Sequence, residues 1–163
     1  MMLIRLADEK DFEAILEIYN HSIIHTTSVY TYDVVDMPWL TSWINSKTEK
    51  GFPVLIAEKN GEVAGFATFD TFRNWPGYVH SVEHSLHVNS RFRKQGIGKD
   101  LLLQLIAEAK KLKKHVLIGG IDAENHASIH LHKQLGFVEV GRIKEVGYKF
   151  DRWLDLLFLQ LLL

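Results

Sequence analysis

The stretch that decides the fold is Val88-Asn-Ser-Arg-Phe-Arg-Lys-Gln-Gly-Ile-Gly-Lys99. A strand-like segment precedes it, and an amphipathic helix follows it. The apolar residues of that helix share one stripe: Ile97, Leu101, Leu105, Ala109 and Leu112. A strand that turns through glycine into a helix N-terminus presents free N–H groups and the positive end of the helix dipole. The stretch therefore predicts a binding site for an anionic, phosphate-bearing ligand.

The spacing of this loop separates it from the common nucleotide-binding loops. It contains neither G-x-x-x-x-G-K-[ST] nor G-x-G-x-x-G. The pattern Arg93-x-x-Gly96-x-Gly98 after a strand resembles instead the pyrophosphate loop of the GNAT superfamily of N-acetyltransferases, which bind acetyl-CoA. The alternative is a solvated basic turn that begins a surface helix, so the remaining motifs have to support the resemblance.

Length and composition limit the class of protein. A chain of 163 residues with 47% hydrophobic and 24% charged residues is typical of one globular domain, expected over residues 1–163. The net charge of −1 argues against nucleic acid as a partner. No cysteine is present, which excludes disulfides, a thiolate metal site and a cysteine nucleophile.

The two ends of the chain carry no targeting or membrane signal. The first residues lack a signal-peptide profile, and the apolar tail Leu154–Leu163 is much shorter than a bilayer span. We therefore expect a cytoplasmic protein with no membrane partner.

The hydrophobic pattern predicts elements in the order β-α-α-β-β-β-α-β-α-β-β. The expected strands are Met2–Leu6, Pro53–Glu58, Glu62–Asp70, Tyr78–Val88, Val116–Ile121, Phe137–Val146 and Tyr148–Leu159. Asp8, Asp36 and Asn125 stand where helix caps are expected, and Asn60-Gly61 is a strong hairpin signal. The order predicts a mixed α+β fold, in which helices flank both faces of a central mixed, mostly antiparallel sheet, as in the GNAT fold.

Three further motifs carry the resemblance across nearly the whole chain. Ser81-Val-Glu-His-Ser-Leu-His-Val88 forms the strand before the loop. Asn125-His-Ala-Ser-Ile-His-Leu-His-Lys-Gln-Leu-Gly-Phe137 resembles the second GNAT motif, with His132 where many members carry tyrosine. Val146-Gly-Tyr-Lys-Phe-Asp-Arg-Trp-Leu-Asp155 resembles the tail of the phosphinothricin and methionine sulfoximine acetyltransferases. The resemblance implies acetyl-CoA as the acetyl donor and a small amino-acid-like amine as the acceptor.

Acyl transfer from a thioester to an amine requires a general base for the ammonium, and Glu83 is the candidate. A carboxylate in this otherwise uncharged strand is expected to have a raised pKa, and the resemblance implies the same role. The alternatives are an edge-strand glutamate that faces solvent, or one paired with Arg73. His132 is the candidate general acid for the CoA thiolate, against the alternative of a surface histidine with no catalytic role.

The donor site is predicted around the glycine loop and the strand before it. The backbone of the strand end is expected to meet the acetyl and pantetheine groups, while Asn125 and Ser128 hydrogen-bond the pantetheine arm or the phosphates; Asn125 can also cap its helix. The predicted cofactor-binding residues are Leu86, His87, Val88, Arg93, Lys94, Gln95, Gly96, Ile97, Gly98, Lys99, Asn125 and Ser128.

The acceptor pocket is predicted to include Arg73, Trp75 and Tyr78, together with Glu83. A guanidinium beside aromatic rings suits a small zwitterion, whose carboxylate pairs with the arginine. Tyr30 and Tyr32 are further candidates, with ordinary core packing as the alternative for both.

Nine histidines raise the question of a metal. His126 and His130 have the helical i, i+4 spacing of a ligand pair, but His84 and His87 are expected to face opposite sides of a strand. No carboxylate spacing completes a site, and we expect no metal.

The sequence thus predicts an acetyl-CoA-dependent N-acetyltransferase that acts by direct attack of a small amino-acid amine on the thioester. Two other functions stay open, a protein or peptide N-acetyltransferase and a non-catalytic acetyl-CoA sensor. The resemblance also implies a homodimer, with the apolar tail Leu154–Leu163 buried between subunits or in its own core.

Overall fold

The computed structural model describes residues 2–163, which form a sheet with helices on both faces. The strands are β1 (Met2–Leu6), β2 (Val54–Lys59), β3 (Glu62–Thr71), β4 (Ser81–Val88), β5 (Val116–Asp122), β6 (Val138–Lys149) and β7 (Arg152–Leu162). The helices are α1 (Phe12–His25), α2 (Met37–Glu49), α3 (Ile97–Lys111) and α4 (His126–Gln134). The predicted order of elements is confirmed.

The strands form one seven-stranded sheet in the order β1-β2-β3-β4-β5-β7-β6. Strands β4 and β5 pair in parallel, and every other neighbouring pair is antiparallel. The parallel pair needs a crossover connection, which α3 supplies. The mixed, mostly antiparallel sheet predicted from the sequence is therefore confirmed.

Each face of the sheet carries its own apolar core. On one face, Leu101 and Leu105 of α3 pack with Phe69 of β3. On the other face, Ile15 of α1 and Leu40 of α2 pack with strand residues of the opposite alternation. The fold thus consists of a sheet between two helical layers, and the helices of both layers border the middle of β4.

Three predicted strand boundaries are wrong: the start of β4, the end of β6 and the start of β7, which is Arg152 rather than Tyr148. Strand β4 begins at Ser81 rather than Tyr78, because Pro76–Tyr78 forms a 3₁₀ turn closed by the Tyr78 N–H to the Trp75 carbonyl. Strand β6 continues through Gly147 to Lys149, since register shifts near Gly141 and Gly147 absorb the irregular residues. The hairpin turn falls at residues 150–151, which have left-handed backbone angles.

The parallel pair β4–β5 is short, and this positions the site. The two strands pair only from Ser81 to Glu83 on β4 and from Val116 to Ile118 on β5. Beyond these residues β5 stays paired with β7, and β4 stays paired with β3. A wedge therefore opens in the middle of the sheet between Ser85–Val88 and Gly119–Asp122.

Candidate active site

The wedge is a cavity of about 290 Å³, closed on one side by the segment after α1. Its walls come from β4, β5, the start of α4 and residues 27–30. The side chains of Glu83 and His132 both line it. Two residues that are far apart in sequence and were predicted to share one reaction therefore meet in one cavity.

Glu83 lies at the point where the two strands part. Its carboxylate is half-buried, and it forms no hydrogen bond or ion pair with any side chain in the described range 2–163. Burial raises the pKa of Glu83, and the positive charge of Arg73 opposes the rise. The edge-strand alternative is wrong, because β4 is an interior strand, and the paired alternative is wrong, because Arg73 is not within ion-pair distance.

Two adjacent glycines of β5 make room for the side chains of β4. A Cβ atom on Gly120 would lie 2.9 Å from Oε1 of Glu83, and one on Gly119 would lie 2.9 Å from Cε1 of His84. Alternate residues of a strand point to opposite faces. Gly120 therefore leaves space for Glu83 on one face of the sheet, and Gly119 leaves space for His84 on the other. Sequence reasoning missed both residues, although a Gly-Gly pair inside an apolar strand is a signal of close approach.

His132 is buried, with 2% of its surface exposed, and both of its ring nitrogens are engaged. Nδ1 lies 2.7 Å from the Ser128 carbonyl, which can only accept, so Nδ1 donates. Nε2 lies 2.8 Å from Nε2 of His84, so one proton is shared between the two rings. Burial lowers the pKa of His84 to about 3 and also lowers the pKa of His132. The pair is therefore neutral near pH 7, and the surface-histidine alternative is wrong.

The predicted donor loop opens into a second cavity, the donor groove, which adjoins the wedge. Gly96, with φ +82°, caps α3 in the left-handed region, and Lys94 also has a positive φ. The groove and the wedge share Leu86, His87 and Asn125 in their walls. The Asn125 side chain accepts from the Ser128 N–H at 3.1 Å, so Asn125 is the N-cap of α4.

The structure gathers most of the predicted cofactor-binding residues around this groove. Those that line it are Leu86, His87, Val88, Arg93, Lys94, Gly96, Ile97, Gly98, Lys99, Asn125 and Ser128. Gln95 does not line it, because its side chain turns away and accepts from the Lys59 ammonium at 2.6 Å. One edge of Ser85–Val88 also faces the wedge without pairing to β5.

Of the predicted acceptor residues, Glu83 and Tyr30 line the wedge, whereas Tyr32, Arg73, Trp75 and Tyr78 do not. Arg73 stacks over Phe72, Tyr78 is partly exposed, and Trp75 is 74% exposed. The wall also includes Tyr19 and Asp122, and the Asp122 carboxylate accepts from the Thr27 hydroxyl. Asp122 was missed because it stands at a strand end that no motif marks.

The histidines do not gather at one point. His84 stacks on His132, while His87 stacks on Phe66 across the sheet, as expected from strand alternation. No group of three or more His, Asp or Glu side chains within residues 2–163 is placed to hold a metal ion. In the same range, no helix is long and apolar enough to cross a bilayer.

Comparison with known proteins agrees with this geometry. The acetyltransferase (GNAT) domain model matches residues 4–158. The chain therefore belongs to the GNAT acetyltransferase family, as the loop and the second motif indicated.

Three relatives illustrate the similarity. The L-methionine sulfoximine/L-methionine sulfone acetyltransferase of Salmonella typhimurium is 44% identical over 98% of this chain and 94% of its own length. A phosphinothricin acetyltransferase from Sinorhizobium meliloti in complex with acetyl-CoA is 32% identical, with a TM-score of 0.96 over 99% of this chain and 88% of that one. A ribosomal-protein-alanine N-acetyltransferase from Brucella melitensis is 48% identical, with a TM-score of 0.97 over 99% of each chain.

Proposed function

We propose that the protein transfers the acetyl group of acetyl-CoA to the α-amino group of a small amino-acid-like compound. The acceptors in view are methionine sulfoximine, methionine sulfone and phosphinothricin, in keeping with the names of the relatives. The observation that carries the proposal is the junction of the donor groove with a small cavity that holds an unpaired, half-buried carboxylate, Glu83.

The reaction follows from the placement of the groups. The loop Lys94–Lys99 and the start of α3 hold the pyrophosphate through backbone N–H groups and basic side chains. The free edge of Ser85–Val88 orients the thioester, and one N–H polarises its carbonyl. Glu83 takes a proton from the substrate ammonium through water. The neutral amine then attacks the carbonyl carbon and the N–C bond forms. As the C–S bond breaks, the nitrogen releases its second proton to water, which leaves the amide and the CoA thiolate.

The departing thiolate leaves one proton to be supplied. The role of His132 as general acid stays a prediction, and the geometry restricts it, since Nδ1 is bound to Ser128 and Nε2 to His84. A neutral imidazole is a poor acid, and a thiolate leaves without prior protonation more readily than an alkoxide. In our proposal the thiolate departs first and is protonated afterwards, by His132 or by solvent.

Acetylation of a protein N-terminus is the second candidate, because the relative from Brucella melitensis carries that name. A peptide requires an open groove beyond the reacting amine. Here residues 27–30 and Leu156 line a wedge of only about 290 Å³, and this small volume favours a free amino acid.

The test is thiol release from acetyl-CoA over a panel of free amino acids and N-terminal alanine peptides. We expect release with methionine sulfone, methionine sulfoximine or phosphinothricin, and little with peptides. Glu83→Gln should lower kcat roughly 100-fold or more and leave the acetyl-CoA Kd unchanged, because Gln cannot accept the proton. Release with peptides alone would identify the second candidate. Binding of acetyl-CoA without release for any amine would favour a sensor, and full activity of Glu83→Gln would exclude Glu83 as the base.

We also propose that the protein is a homodimer whose subunits meet at the β6–β7 hairpin. Strand β6 is the edge of the sheet, and most of its residues are exposed. The large apolar residues exposed there are Val138, Val140, Ile143, Val146, Tyr148, Phe150 and Trp153. A contiguous apolar edge of this kind is typical of a subunit contact.

A further inference from the structure

Lys149, the last residue of β6, buries its ammonium group beneath the C-terminal end of α1. The residue is 2% exposed, and Nζ donates to the carbonyls of Ile23 at 2.6 Å, Thr26 at 2.7 Å and Val29 at 2.7 Å. An ammonium has three donors and no acceptor, so this set is complete. The result is a hydrogen-bonded clamp that joins β6 to α1 and to the segment after it.

Backbone carbonyl dipoles stabilise the positive charge of Lys149. Within the described residues no carboxylate lies within ion-pair distance of Lys149. The carbonyls of Ile23 and Thr26 stand at the negative end of the α1 dipole, which favours a cation there. A buried cation is costly unless it is fully hydrogen-bonded, so moving any of the three carbonyls away from Nζ is disfavoured.

Of the three clamped residues, Val29 lines the wedge, Thr26 lines the donor groove, and Ile23 belongs to α1. Residues 27–30 line the cavity, whereas no residue of β6 does so. A second contact fixes the same segment, because a Cβ atom on Gly147 would lie 2.6 Å from Cδ2 and Cε2 of Tyr30. The Tyr30 ring therefore rests directly on the bare backbone of β6. The neighbouring Tyr32 hydroxyl donates to the Tyr148 carbonyl, which adds a third contact.

We propose that Gly147 and Lys149 are positioning residues that set acceptor selectivity by fixing Val29 and Tyr30 in one wall of the wedge. The inference rests on the proposed function, in that the acceptor amine enters this cavity. Val29 and Tyr30 line the wedge and not the donor groove, so displacing Tyr30 changes the space for the acceptor rather than the donor site. This assigns a role to the Gly-Tyr-Lys part of the C-terminal motif, 147–149, which lines neither the wedge nor the donor groove.

The experiment compares Gly147→Ala with Gly141→Ala in the same strand. A Cβ atom on Gly141 has no neighbour within 4 Å, so this variant is a matched control. Steady-state constants for methionine sulfone and for alanine as acceptors are measured with saturating acetyl-CoA, and the acetyl-CoA Kd is measured separately. We expect Gly147→Ala to lower kcat/KM for methionine sulfone roughly tenfold, mainly through KM, and to change its ratio to alanine. Gly141→Ala should change neither by more than about twofold.

Lys149→Met provides the second variant, since methionine keeps much of the volume but none of the donors. It should raise the acceptor KM with the same bias, and circular dichroism with thermal unfolding shows whether it folds. The inference is overturned if Gly147→Ala keeps the wild-type ratio of acceptors, or if its acetyl-CoA Kd rises as much as the acceptor KM. A wild-type protein that acetylates no amino acid overturns the proposed function, and this inference with it. Wild-type activity with an unchanged Gly147→Ala ratio overturns this inference alone.

Discussion

Two opposing effects act on the pKa of the Glu83 carboxylate. Burial between β4 and β5 disfavours the ionised form and raises its pKa, while the guanidinium of Arg73 stabilises the ionised form. Burial is the larger effect, so the pKa lies above that of a free glutamate. A base of this kind binds protons more readily than an exposed carboxylate.

The pH profile of Arg73→Gln tests this balance. The base acts when it is deprotonated, so kcat falls as the pH drops through the pKa of Glu83. Removing the positive charge of Arg73 raises that pKa further, and the acid limb of kcat should move to higher pH. Arg73→Lys keeps the charge and should leave the limb near its wild-type position. The measurement is kcat against pH with saturating amine.

An unmoved acid limb in Arg73→Gln would contradict the electrostatic link between the two residues. If the amine KM rose in the same variant while the limb stayed in place, Arg73 would act as a contact for the substrate carboxylate. That outcome would agree with the sequence-based prediction, which the exposed position of Arg73 outside the wedge does not by itself support.

At the residue scale, the sequence predicts the chemically reactive groups better than the residues that hold them in place. Glu83 was identifiable because a carboxylate is unusual in that strand. Gly119, Gly120 and Lys149 were not identified, since their roles depend on which side chains lie across from them. No local pattern encodes such a long-range contact. The pairing of His84 with His132 was hidden for the same reason.

At the scale of elements, the turn between β4 and α3 forms one wall of the donor groove. Gly96 adopts φ +82°, and Gly51 after α2 adopts φ +72°, so both occupy the left-handed region. A Cβ atom on Gly51 has no neighbour within 4 Å, and one on Gly96 meets only the carboxylate end of Asp100 at 4.0 Å. The two glycines thus share their backbone conformation, and they differ in that Gly96 lines the donor groove and Gly51 does not.

Gly96→Ala and Gly51→Ala form a matched pair that separates strain from binding. Each should lower the free energy of unfolding by about 1 kcal/mol, because an L side chain is disfavoured at positive φ. Gly96→Ala should in addition weaken acetyl-CoA binding roughly tenfold, since its methyl group enters the donor groove. Urea denaturation and calorimetric titration measure the two quantities. Equal acetyl-CoA affinity in the two variants would remove Gly96 from the donor site.

The elements themselves were predictable where local signals are strong. The Asn60-Gly61 hairpin, the Asp36 cap and the glycine turn before α3 encode their structures within a few residues. The start of β4 and the end of β6 were predicted wrongly, because apolar runs continue through a 3₁₀ turn in one case and a bulge in the other. The point at which β4 and β5 separate was not predictable, because neither strand has a local sequence pattern that indicates it.

At the scale of the whole molecule, the two strands of the C-terminal hairpin differ in burial: β7 is an interior strand and β6 is an edge strand. Leu154, Leu157 and Leu159 are buried in the core, because β7 lies between β5 and β6. The apolar tail Leu154–Leu163 was expected either between subunits or in the core of its own chain. Most of it lies in the core of its own chain. The remaining apolar surface of the hairpin belongs mainly to β6, which has a partner on one side only.

Two exposed tryptophans allow the proposed dimer contact to be tested. Trp153 is 62% exposed on the hairpin, where it packs edge-on against Tyr148, whereas Trp75 is 74% exposed on the loop before β4. We expect the wild-type protein to sediment at twice the 18.8 kDa of one chain. Trp153→Lys should shift it to the monomer, because a charge would be buried in an apolar contact, and Trp75→Lys should not. A wild-type monomer would contradict the dimer. A dimer that survives Trp153→Lys but not Trp75→Lys would place the contact at the other loop, beside Arg73, where a partner subunit could border the acceptor site.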